Sequence, residues 1–111
     1  KAVELGHRAV LGNLVFMAVA YGYGPGDRAL VQTSLGWVAH LPEAWAPLLA
    51  GAALVPRGGC ASLGGPDPDV TLAMFTPSML RALLAGDRVP RRLRVLALTG
   101  EPMPTDLVRE A

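Results

Sequence analysis

The chain has 111 residues, 51% of them hydrophobic and 17% charged, with ten basic residues against nine acidic ones for a net charge of +1. That length supports one domain at most, and the near-neutral balance excludes nucleic-acid binding by a basic face and membrane binding by a polybasic patch. A single Cys, Cys60, excludes a disulfide framework and a multi-thiolate zinc site, and points to the cytoplasm.

The elements follow in chain order. His7 to Tyr21 reads as a helix that is apolar on nearly every face, the kind packed between two layers of protein. Its apolar run, Ala9 to Ala20, would span only about 18 Å as a helix, too short for a bilayer. No cleavage-site pattern marks it as a signal peptide. Gly22-Tyr23-Gly24-Pro25-Gly26-Asp27 is a chain-reversing turn, and Arg28 to Thr33 a short strand. Pro42 to Ala50 is a helix, with Pro42 tolerated in the first turn and Gly51 just past its end. Pro47 inside it predicts a kink or a late start.

Ala52 to Val55 is an apolar strand. Pro56 to Asp69 gathers Gly, Pro and Asp around Cys60 and reads as an irregular loop. Val70 to Phe75 is a buried strand. Thr76 caps the next helix, Pro77 takes its first position, and Gly86 ends it. Arg94 to Thr99 is the last strand, and Thr105 caps a final helix. Continuous apolar strands separated by helices predict an α/β fold with a parallel sheet covered on both faces.

Residue chemistry alone supplies no active site. The Gly22-x-Gly24-x-Gly26 run follows a helix and opens a strand, the reverse of a dinucleotide loop, and Pro25 removes an amide that a phosphate would need. His7 and His40 have no acidic or Cys partners at metal-ligand spacing. Ser34 and Ser78 lack a Gly-x-Ser-x-Gly elbow, and Cys60 has no nearby His. Asp67 and Asp69 flank Pro68 as solvated loop carboxylates. Arg91, Arg92 and Arg94 read as a solvated basic edge.

Taken in order, five segments resemble the adenylate-forming enzymes, and within them the adenylation domains of nonribosomal peptide synthetases. Lys1-Ala-Val-Glu-Leu-Gly-His7-Arg8 is similar to the tail of the family's phosphate-loop motif. Tyr23-Gly-Pro-Gly-Asp27-Arg28 looks like its Leu-x-Pro-Gly-Asp-Arg turn, and Leu48-Leu-Ala-Gly51-Ala matches a family helix end. Thr76-Pro77-Ser78-Met-Leu80 matches Thr-Pro-Ser-x-Leu, and Thr99-Gly100-Glu101-Pro-Met-Pro104 looks like Gly-Gly-Glu-Ala-Leu-Pro.

The resemblance spans residues 1–111 and implies the flavodoxin-like part of the large subdomain, with most of the acyl pocket. The family's Phe-Asp-Ala-Ser segment falls on Trp37-Val38-Ala39-His40, with Glu43 on the Glu that follows. The implied substrate-binding positions are Val38, Ala39, Pro42, Met74, Ala97 and Thr99; Gly100 and Glu101 lie near the adenine. The implied reaction joins a small carboxylic acid to ATP, with Mg²⁺, and passes the acyl group to the phosphopantetheine of a carrier protein in a bacterial synthetase.

Three departures sharpen the expectation. Val38 stands where amino-acid-activating members carry Asp, so a substrate α-ammonium would be buried without its charge partner; the resemblance then implies an acid without an α-amino group, an α-keto acid for example. The stretch between Val55 and Val70 is too short and turn-rich for the family's helix there. The phosphate loop, the Tyr-Gly-Pro-Thr-Glu motif, the ribose-binding Asp and the catalytic Lys are not among these residues, so the chain is expected to bind no cofactor and catalyse nothing without the remainder of the domain. The alternative is a vestigial, non-catalytic module in a megasynthase.

Overall fold

The computed structural model describes residues 1–58 and 69–110. Most of the expected 56–69 loop, with Cys60 and Asp67, lies outside the described residues. Among these residues are four helices, α1 (His7–Ala20), α2 (His40–Leu49), α3 (Pro77–Ala85) and α4 (Thr105–Glu110), and four strands, β1 (Arg28–Val31), β2 (Ala53–Pro56), β3 (Leu72–Phe75) and β4 (Val95–Leu98), in the order α1-β1-α2-β2-β3-α3-β4-α4. The strands form one parallel sheet in the order β2-β1-β3-β4. This is the doubly wound order of flavodoxin-like folds, in which the sheet grows first to one side of β1 and then to the other.

Alternation along the strands distributes the core between two layers. Leu30, Ala73 and Phe75 pack with Leu80 and Leu83 of α3 and Leu107 of α4. On the other face Met74 meets Leu14 and Met17 of α1 and Ala46 of α2. Both faces are covered, as continuous apolar strands require.

Helix α1 departs from its expected surroundings. It buries only Leu14 and Met17, against α2, and leaves Val15, Phe16 and Val19 exposed. Among the described residues it is covered on one side, not two. Helix α2 also differs, starting at His40 and not at Pro42. Turn bonds from His40 N to Trp37 O and from Leu41 N to Val38 O wind the preceding segment into the helix. Pro42 therefore still falls in the first turn, and Pro47 sits inside the helix instead of delaying it. Helix α4 begins at Thr105 itself.

One polar knot fastens the amino-terminal ends of the strands. Asp27, 6% exposed, accepts hydrogen bonds from Thr71 Oγ1 at 2.7 Å, Gly24 N at 3.0 Å and Arg94 Nε at 2.7 Å. It also pairs with Arg94 Nη2, which donates to Gly22 O at 2.7 Å. Arg94 is thus no member of a solvated edge: a buried carboxylate needs a charge partner, and this one supplies it. Arg92 pairs instead with Asp69 at 2.7 Å, on the surface.

The Arg94 and Thr71 hydrogen bonds outweigh burial and hold the Asp27 carboxyl at a pKa of about 2, below its usual 3.8. A depressed acid stabilises the fold above its unfolded pKa and loses that contribution as pH falls through the folded value. The shift corresponds to about 2 kcal/mol, present at neutral pH and lost between about pH 4 and 2. Circular dichroism of urea unfolding should show that loss on acidification, whereas Asp27→Asn should be weaker at pH 7 and nearly pH-independent across the window. Equal pH slopes in the two proteins would contradict the assignment.

Candidate functional site

Ligands of open α/β sheets bind beyond the carboxyl ends of the strands, where the winding direction reverses. Here that place lies between β1 and β3. The two strands share the register pair Ala29↔Leu72, whereas β3 and β4 stay paired from Leu72↔Val95 to Phe75↔Leu98. Towards the open end a side chain bridges β1 and β3: Gln32 Nε2 donates to Met74 O at 3.1 Å.

The next residue, Thr33, is held from α2. Its N–H donates to Glu43 Oε2 at 2.9 Å, and its carbonyl lies 3.0 Å from His40 Nδ1. A carbonyl can only accept, so Nδ1 carries the proton in that contact. Glu43 is 4% exposed, and burial raises its carboxyl above the usual range against the opposing pull of the Thr33 amide. Among the described residues neither Glu43 Oε1 nor Gln32 Oε1 has a hydrogen-bond partner.

The six expected substrate positions are only partly gathered. Val38, 65% exposed, and Pro42 line an apolar recess of about 190 Å³ with Leu5, Ala9, Val10, Leu14 and Leu41, where Asn13 is the single polar side chain. Pro42 and Met74 meet at a void of about 10 Å³ beside Glu43. Ala97 is in register with Met74 and shares its face of the sheet. Ala39 is half-buried in the turn before α2, and Thr99, exposed, continues the ladder through Thr99 N to Phe75 O at 3.0 Å. Neither lines these cavities.

Gly100 and Glu101 form the turn beyond β4. Gly100 takes φ +86°, and a Cβ there would lie 3.6 Å from Thr76 Cγ2. The left-handed conformation, more than crowding, demands glycine. Glu101 Oε2 accepts from Ser78 Oγ at 2.6 Å and Ser78 N at 3.0 Å, at the amino end of α3. The Ser78 hydroxyl and then its amide hold the Glu101 carboxyl below its usual range. Thr76 Oγ1 accepts from Met79 N at 3.2 Å as the cap proper. A groove of about 340 Å³ runs alongside, between Pro77, Ser78, Arg81, Glu101 and Pro104.

No three His, Cys, Asp or Glu side chains among the described residues are placed to hold a metal ion. No helix among them is long and apolar enough to cross a membrane. Sequence reasoning missed Gln32 and the burial of Glu43. Their only local signal was the three-residue spacing of His40 and Glu43, which sets them on one face of a helix.

Residues 1–111 match the family model described as AMP-binding enzyme. The chain belongs to that family. Over 123 aligned residues it is 30% identical to tyrocidine synthase 3 of Brevibacillus parabrevis, covering 99% of this chain and 2% of that protein. Two solved structures share the fold. An acyl-CoA synthetase/AMP-acid ligase II-like protein from Dyadobacter fermentans superposes with a TM-score of 0.85 at 23% identity, over 99% of this chain and 33% of its own. The nonribosomal peptide synthetase FmoA3, solved with AMPPNP, gives 0.81 at 24% identity, over 96% and 13%. The chain thus spans a small part of each protein it matches. It carries the adenylate-forming α/β fold, with a parallel four-stranded sheet.

The Thr76 cap joins this AMP-binding fold's β3 to α3 and sets where Ser78 meets Glu101. Thr76→Ala should lower stability by about 1 kcal/mol, read by thermal or urea unfolding. Thr76→Ser should recover most of it. Equal loss in both would assign the effect to the Thr76 methyl group against Gly100.

Proposed function

We propose that this chain is the acyl-recognition part of an ATP-dependent carboxylate-activating domain of nonribosomal-peptide type, acting on a small acid without an α-amino group. The reaction joins the acid to ATP to give an acyl-adenylate and pyrophosphate, and a carrier-protein phosphopantetheine thiol then takes the acyl group as a thioester, releasing AMP. The observation that carries the substrate reading is the recess around Val38. Among the described residues its lining holds no charged side chain, so an ammonium entering it would lose its hydration without gaining a counter-charge, at a cost of several kcal/mol.

Glu43 does not supply that charge. Its carboxylate is buried behind the Thr33 amide, and the adjoining void of about 10 Å³ admits at most a single water-sized group. Val38, Ala39, Pro42, Met74 and Ala97 would give an apolar surface for the acyl chain, and Thr99 a polar rim. Gly100 and Glu101 fit a nucleotide shelf: the backbone is exposed at the carboxyl end of β4, and the Glu101 side chain is drawn aside onto Ser78. Magnesium, held largely by phosphate oxygens and water, would take its protein ligands from the remainder of the domain. The charge stabilisation that adenylation needs would come from the remainder of the domain.

A vestigial module is the second reading, favoured by Val38 at the Asp position. Pyrophosphate exchange by the full-length protein separates the two. An α-keto acid should support exchange at least about tenfold above the amino acid of the same side chain, the discrimination expected from an unpaired buried charge. Strong exchange with the amino acid alone overturns the substrate reading. No exchange with any acid, in a protein that is folded, supports the vestigial one.

A further inference from the structure

The amino end of α2 grips one residue of the crevice from both sides. We propose that Glu43 and His40 are positioning residues for acyl recognition, clasping Thr33 by its N–H and its C=O and so fixing the 34–39 turn that carries Val38 and Ala39. The inference rests on the adenylation reading for what the turn recognises. The clasp itself rests on geometry.

Apart from the backbone bonds that wind Trp37, Val38 and Ala39 into α2, little else among the described residues holds that turn. Leu35, Trp37 and Val38 are 83%, 71% and 65% exposed, so among the described residues packing anchors their side only where Val38 borders the recess against α1. Its internal bonds are local ones, Trp37 N to Ser34 O at 3.0 Å and Gly36 N to Ser34 Oγ at 3.3 Å. Such bonds set the shape of a turn without setting its place on the protein. The place is set at the two ends: Thr33 is bound to α2, and His40 is the first residue of α2 itself. Gln32, one residue earlier, ties the same strand end to Met74 of β3. Val38 on the turn and Met74 on the sheet are therefore referred to one anchor point.

The choice of residue supports the same reading. A carboxylate 96% buried, one oxygen of which has no partner among the described residues, is a poor device for stability, since an apolar side chain of similar size would avoid the desolvation. What Glu43 provides that such a side chain lacks is an acceptor aimed at the Thr33 amide. Local rules of this kind are broken where position matters more than stability. The void beside Glu43 holds no more than one water-sized group, and the carboxylate is engaged by the Thr33 amide, so the residue acts through Thr33.

The test uses four variants in the full-length protein. Glu43→Gln keeps an acceptor for Thr33 N, and His40→Asn keeps a donor for Thr33 O; Glu43→Leu and His40→Phe remove each. The severing pair should raise KM for the acid about tenfold or more while leaving KM for ATP within about twofold, and the conservative pair should stay within about threefold of the wild type on both. Hydrogen exchange gives a readout independent of activity: Glu43→Leu should speed the amides of 33–39 about tenfold or more, with β3 and α3 unchanged. Parallel rises in both KM values, or unaltered exchange over 33–39, overturn the clasp. If Glu43→Leu does not fold, the His40 pair carries both comparisons. A wild type that forms no adenylate from any acid sinks the adenylation reading, and exchange alone then decides the clasp.

Discussion

Everything at the base of this sheet is referred to Asp27. A parallel sheet has no hairpins to fix its register, because each strand returns only after a crossover. Here the register is set by one carboxylate at the head of β1 that gathers the residues before β3 and β4, Thr71 and Arg94. Thr71 extends the knot: its hydroxyl accepts from Arg28 N at 3.0 Å, and its carbonyl accepts from Arg94 N at 2.9 Å. Arg94 also ties in the end of α1 through Gly22 O. Three strands and a helix are thus pinned at one end.

The opposite end is built in another manner. There β1 and β3 are bridged by a side chain, and the turn beyond β1 is anchored from a helix. A sheet fastened tightly at its base and joined by separable tethers at its mouth divides stability from recognition. Residues at the mouth can change with the ligand while the register stays fixed below. The paired charges obey the same division: Asp27 has its partner, whereas Glu43 is buried with one oxygen unpaired among the described residues.

The order of helices and strands was legible in the sequence because the strands are short, mostly apolar runs and most boundaries carry Gly, Pro or a capping Thr. Thr76 and Pro77 illustrate this, since cap and first turn are encoded within four residues. The early start of α2 was hidden, because it depends on turn bonds around Trp37 and Val38, residues without helix-starting chemistry. Arg94 was misread for a different reason. Its partner lies 67 residues away, and no local pattern distinguishes an arginine bound for a buried aspartate from one in a basic cluster. The crevice was partly legible through family motifs, which give chain positions but not which side chains share a cavity. Hence Val38 and Pro42 were brought together, while Ala39 and Thr99 stand apart.

Trp37 sits on the anchored turn with 71% of its surface exposed, while Trp45 is fixed on α2. These are the chain's two tryptophans. The indole beside Val38 is therefore a built-in optical reporter: its emission colour and its access to a quencher follow the hydration of the turn without any added label. Trp45, 53% exposed on α2, adds its own emission, which Trp45→Phe removes to leave the Trp37 signal alone.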